Sequence, residues 1–135
     1  MASAELVSER WGTPDWQPVE LMTDDDFPRS VAVLKTYDVL LVNPIRDGLN
    51  LVAKEGPAVN DRGGTLLLST EAGAFAELRD EVVPLFPFDI EGTARAIGAA
   101  IDMEPEQRRH RAKALAEAVA RRTPESWLQD QLDAV

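Results

Sequence analysis

A chain of 135 residues with 44% hydrophobic residues and no cysteine suits one globular unit and excludes disulfide frameworks and thiolate metal sites. The formal net charge of −10 disfavours nucleic-acid binding, which needs a positive field, but not small anions held locally. The start MASAELVSERWG lacks a signal peptide's basic end and apolar core, and no apolar run approaches a membrane span, so a cytoplasmic protein without membrane contact is expected.

Residues 3–11 read as a short helix with Leu6 and Val7 on one side, broken by Gly12-Thr13-Pro14. Pro18 to Met22 reads as a strand. Thr23 to Asp26 is a polar turn that ends in a cap for a helix over Pro28–Thr36, whose apolar side carries Val31, Val33 and Leu34. Val39 to Val42 is apolar on both faces, as expected of a central parallel strand, and Asn43-Pro44 ends it.

Asp47-Gly48 predicts a turn and Leu49 a helix start, with Gly56-Pro57 stopping or bending that helix. Asp61 to Gly64 is a loop and Thr65 to Ser69 a second buried strand. Glu71 to Ala74 opens a short helix through Leu78, and Val82 to Phe86 is a further strand ended by Pro87-Phe88-Asp89. Helices follow over Glu91–Asp102 and from Pro105 to about Arg122. Thr123-Pro124-Glu125 starts the terminal helix carrying Trp127, Leu128 and Leu132. The fold class is therefore α/β: a partial Rossmann-like parallel sheet flanked by helices, with a helical C-terminus.

Ligands of such sheets bind beyond the carboxyl ends of the strands. Of the three loops there, Thr23–Asp26, Asn43–Asn50 and Ser69–Ala74, the middle one is the most informative. Gly48 permits an unusual backbone angle and close ligand approach. A helix beginning at Leu49 would leave the N–H groups of Leu49 to Val52 free for a diphosphate. Asp47 and Glu55, eight residues apart, would span about 12 Å along an ideal helix, enough to reach the two sugars flanking a diphosphate. On residues alone, a plain turn and a solvated acidic face are the commoner explanation of this spacing.

Other features read more simply. His110 stands alone in a basic helix, and Asp24 to Asp26 fit capping better than a metal; no metal site and no cofactor is expected. Arg108, Arg109, Arg111, Lys113, Arg121 and Arg122 fit a solvated face, and Ala94 to Ala100 fits close helix packing.

The run DVLLVNPIRDGLNLVAKE, Asp38 to Glu55, resembles that of trehalose-6-phosphate synthases (glycosyltransferase family 20), retaining enzymes with two Rossmann-like lobes in the GT-B arrangement. The family usually has Met where Leu49 stands, a volume-conserving difference. The likeness extends through Leu66–Leu78, Pro87-Phe88-Asp89, the run of Met103, Glu106 and Arg108, and Trp127, covering most of residues 14–135.

The resemblance implies a nucleotide-glucose donor, UDP- or GDP-glucose, and glucose 6-phosphate as acceptor. Asp47 and backbone groups of Gly48, Leu49 and Asn50 would hold the glucose. Leu51, Val52, Ala53, Lys54 and Glu55 would line the nucleotide, with Glu55 on the ribose. The loop near Asp25 would contact the base through its backbone. By the same analogy, the N-terminal lobe with its acceptor pocket, glycine-rich loop and catalytic histidine has no counterpart here. Nor have the Arg and Lys that clamp the diphosphate, or two strands that would sit between residues 18–22 and 39–42. The resemblance thus implies one partial domain over 1–135, the C-terminal lobe, with no catalytic residue of its own and no unaided synthase activity. The alternatives are a pseudo-glycosyltransferase segment that couples a nucleotide-activated cyclitol, and a regulatory module that partners a full-length synthase or an N-terminal lobe. A homo-oligomer also fits.

Overall fold

The computed structural model describes residues 2–134. In chain order it contains α1 (Ala2–Trp11), α2 (Phe27–Thr36), β1 (Val39–Val42), α3 (Val52–Val59), β2 (Thr65–Ser69) and α4 (Phe75–Leu78). β3 (Val83–Leu85), α5 (Ile90–Ile101), α6 (Pro105–Ala120) and α7 (Pro124–Asp133) follow.

The strands form one parallel sheet in the order β1-β2-β3, with Val39 opposite Thr65 and Leu67 opposite Val83. All five residues of β2 are buried, because helices cover both of its faces. Side chains alternate across it. Leu66 and Leu68 join Val42, Ala53, Leu78 and Leu115 under α3, α4 and α6, whereas Leu67 joins Leu85 and Ala100 under α5. The alanine-rich stretch supplies Ala96 and Ala100 to that second layer. β3 is an edge strand, where Pro84 can be tolerated without its N–H.

Four expectations need correction. β1 is an edge strand among the described residues, not a central one, and Leu41 on it is 45% exposed. Residues 18–22 form no strand and pair with neither edge of the β1-β2-β3 sheet. α3 runs through Pro57 to Val59, so of the stop or bend expected at Gly56-Pro57 the stop does not occur; both residues are buried. The helix expected from Glu71 begins at Phe75, because Glu71, Gly73 and Ala74 hydrogen-bond to the loop after β1.

Side-chain capping explains the starts of α2, α5 and α7. The Asp26 carboxylate accepts from Arg29 N at 3.0 Å, and Asp89 from Gly92 N at 2.7 Å. Thr123 and Ser126 cap each other at the start of α7. The ends of the molecule are thinly packed: α7 has no buried residue, and Trp127, Leu128 and Leu132 are exposed, as are Leu6, Val7 and Trp11 of α1.

Candidate functional site at the carboxyl ends of the strands

The loop from β1 to α3 is shaped by Asp47. Its Oδ1 accepts from the backbone N–H groups of Leu49 (3.1 Å) and Asn50 (3.2 Å), and its Oδ2 accepts from Asn50 Nδ2 (3.0 Å). These bonds favour the ionised form and hold the carboxyl below its ordinary value of 3.8, the Leu49 N–H first and the Asn50 amide next. Asn50 adopts a left-handed backbone, φ 61°, and its Oδ1 accepts from Ala53 N at 3.1 Å. A short polar side chain tolerates that conformation better than most.

The geometry alters three sequence expectations. The helix begins at Val52, not Leu49, and the Leu49 and Asn50 N–H groups are spent on Asp47. The N–H groups of Leu51 and Val52 remain without a partner among the described residues. The left-handed residue is Asn50 and not Gly48, whose φ is unexceptional. Only the second half of the Asp47–Glu55 separation is helical, so an ideal-helix span does not apply.

A second loop braces the first. Asp47 N donates to Glu71 O (3.3 Å), Gly73 N to Asp47 O (2.8 Å) and Ala74 N to Leu49 O (3.1 Å). These bonds carry the β1–β2 pairing past the strand ends as a parallel bridge between Asp47 and Ala72. Buried Ser69 turns the second loop by accepting from Glu71 N through Oγ. Two buried polar atoms at this edge, Asn43 Oδ1 and Thr70 Oγ1, have no partner among the described residues.

The remaining strip residues diverge. Ala53 is buried beneath the strip, whereas Leu49, Leu51 and Val52 are exposed, a run of apolar side chains along the loop and first turn. Lys54 pairs with Glu77 of α4. Glu55 is exposed and shares with Lys54 the wall of a surface cavity of about 320 Å³ that reaches Ala116 and Val119 of α6. Asp47 and Asn50 are thus joined directly, and Glu55 stands apart from them. The roles of Asn50 as loop-former and Gly73 as brace were missed. The only signals for them were the Asp-Gly-Leu-Asn spacing and the small residues of Glu71–Ala74.

Asp24 and Asp25 lie exposed in the turn before α2, and His110 lies exposed on α6. Among the described residues no group of three or more His, Asp and Glu is placed to hold a metal ion. No helix there is long and apolar enough to cross a membrane. The basic residues of α6 are mostly occupied locally: Arg111 donates to Val82 O, and Arg109 and Lys113 face Glu106 and Glu117 along the helix.

The sequence model of glycosyltransferase family 20 matches residues 1–135. The trehalose-6-phosphate synthase of Mycolicibacterium smegmatis is 42% identical over 106 residues, 78% of this chain and 21% of that protein. That of Mycolicibacterium gilvum is 44% identical over the same shares. Among solved structures, the E. coli structure bound with UDP-2-fluoro glucose superposes with a TM-score of 0.88 at 29% identity, covering 98% of this chain and 30% of that one. An α,α-trehalose-phosphate synthase (UDP-forming) from Burkholderia xenovorans in complex with glucose-6-phosphate gives 0.88 at 30% identity, with the same coverage. The chain spans about a fifth of the length of the curated relatives it matches.

Proposed function

Because the chain belongs to glycosyltransferase family 20, we propose that its Asp47–Glu55 segment binds a nucleotide-activated glucose, UDP- or GDP-glucose, for transfer to glucose 6-phosphate. The observation that carries this reading is the self-capped Asp47 loop, which presents unpartnered N–H groups on Leu51 and Val52 at the carboxyl edge of a parallel sheet.

Each part of the strip has a chemical role in this reading. Asp47 accepts three hydrogen bonds, and an ionised carboxylate has about four acceptor positions, so one on Oδ2 remains for a glucose hydroxyl. The Leu51 and Val52 N–H groups face diphosphate oxygens, and exposed Glu55 accepts from the ribose hydroxyls. The UDP-2-fluoro glucose bound in the E. coli structure supports that class of ligand.

Donor binding alone does not make a synthase. Transfer with retention depends on holding donor and acceptor together, an effect worth several powers of ten that needs both walls of a cleft. The residues here form one wall, so the isolated chain binds donor weakly and transfers nothing. Calorimetry with UDP-glucose and GDP-glucose tests the first half; no heat at millimolar ligand would sink it. Release of UDP or GDP in the presence of glucose 6-phosphate would sink the second.

A second reading has its own observation. Exposed apolar side chains on α1 and α7, together with the open edge of β1, are surface that a partner would cover. A lobe supplied by the rest of a family member is the occupant proposed, in keeping with the fraction of the relatives that this chain spans.

A further inference from the structure

We infer that Gly73, on the loop between β2 and α4, is a positioning residue for the sugar end of the donor strip, fixing where the Gly48 peptide and the amides after it stand. The inference rests on the donor reading above and adds a residue outside the Asp47–Glu55 strip.

The reason is space. A Cβ on Gly73 would lie 2.0 Å from Gly48 O, 2.6 Å from Gly48 C and 3.2 Å from Leu49 N. All three are backbone atoms, so none can swing aside as a side-chain tip would. Gly73 does not have a left-handed φ, so absence of volume, and not backbone freedom, is what the position demands. Only with glycine there can Gly73 N reach Asp47 O at 2.8 Å while Ala74 N reaches Leu49 O at 3.1 Å.

Gly48 behaves in the opposite way. Nothing lies within 4 Å of a Cβ built on it, so the fold itself sets no limit at that position. One glycine answers to the neighbouring loop, and the other faces open space.

A methyl group on Gly73 must push the Gly48 peptide away from the β2–α4 loop. That movement draws the Leu49 and Asn50 N–H groups off Asp47 Oδ1, where they sit at 3.1 and 3.2 Å. The nucleotide end is anchored independently, because Ala53, Gly56 and Pro57 of α3 are buried against the core. The damage is therefore confined to the sugar end.

The test compares Gly73→Ala with the unmodified chain by amide hydrogen exchange and by calorimetry with UDP and UDP-glucose. The Leu49 and Asn50 amides should exchange about tenfold faster, while those of Leu66 to Leu68 keep their protection. UDP-glucose should weaken about tenfold, with UDP changed less than about twofold. Unchanged exchange at Leu49 and Asn50, or equal weakening of both ligands, overturns the inference. Gly48→Ala should leave the exchange pattern as it is; acceleration there would show that any added methyl loosens the loop and would also overturn it. If Gly73→Ala does not fold, Ala74→Pro removes the N–H bonded to Leu49 O at a residue whose φ is already −65°, and the same acceleration is expected. An unmodified chain that binds neither UDP nor UDP-glucose refutes the donor reading and the ligand half with it, and the exchange arm still decides whether Gly73 holds the loop.

Discussion

The ring of Tyr37 stands where a side chain on Gly64 would have to go: a Cβ there would lie 2.3 Å from Tyr37 Cε2 and 2.4 Å from Cδ2. The Tyr37 backbone oxygen would be only 2.6 Å away, so the ring cannot yield by rotation alone. Gly56 faces the ring's Cε1. Gly64→Ala should therefore destabilise the chain by about 1–3 kcal/mol through overpacking. Urea denaturation checks this, and a loss under about 0.5 kcal/mol would contradict the packing described.

The Tyr37 hydroxyl is buried with no partner among the described residues, and burial pushes its pKa from 10.0 up to about 12. It is the only tyrosine, so phenolate absorbance reports it alone. The folded chain should titrate near 12, and a midpoint near 10 would show the ring to be solvated. Between 10 and 12 the unfolded chain has lost this proton and the folded chain has not. The stabilising contribution is thus complete below pH 10 and falls away as pH rises through 12.

Asp47 should titrate in the other direction. Its carboxyl is held below 3.8 by the Leu49 N–H and the Asn50 amide, so its contribution is present above that value and lost as pH falls through the lower folded midpoint. Carboxyl-carbon NMR gives the midpoint, and the Leu49 and Asn50 amide signals should shift with it. A midpoint at or above 3.8 would mean that the loop is open in solution.

These residues show what was legible in the sequence and what was not. β2 and α5 were readable because an apolar run and an apolar helical face need only local pattern to declare themselves. Pro18 to Met22 was misread because a strand exists only by pairing, and pairing is not written in the segment. The strip was found through its residue types and the family likeness, but its true helix start was not. The Asp47 side chain competes for the Leu49 and Asn50 amides, and that competition depends on loop geometry. Asn60 was invisible for the same reason. It donates to Leu34 O and Tyr37 O and accepts from Arg62 N and Gly64 N, joining three segments that sequence spacing keeps apart.

Asn50 combines a left-handed backbone with a side chain that caps Ala53, and substitutions separate the two. Asn50→Gly keeps the conformation and loses the cap, whereas Asn50→Ala loses the cap and also strains the backbone by about 1–2 kcal/mol. Denaturation should therefore rank the alanine variant below the glycine variant by roughly that amount. Equal stabilities would show that the loop relaxes out of the left-handed region.

The uncovered ends of the molecule offer the sharpest test of the partner reading. The three tryptophans, Trp11, Trp16 and Trp127, are 62%, 58% and 57% exposed. All should emit at long wavelength and be quenched freely by acrylamide. With Trp11 and Trp16 replaced by Phe, Trp127 becomes the sole reporter of α7. Adding a separately produced N-terminal lobe of a trehalose-6-phosphate synthase should shift its emission to shorter wavelength and protect it from quenching. Such burial would be that of an aromatic anchor at the centre of an interface, and Trp127→Ala should then weaken the association by about 2 kcal/mol or more. Transfer from UDP-glucose to glucose 6-phosphate should appear only in the mixture. If emission and quenching stay as in the isolated chain at saturating lobe, the exposed face of α7 is not where such a lobe docks.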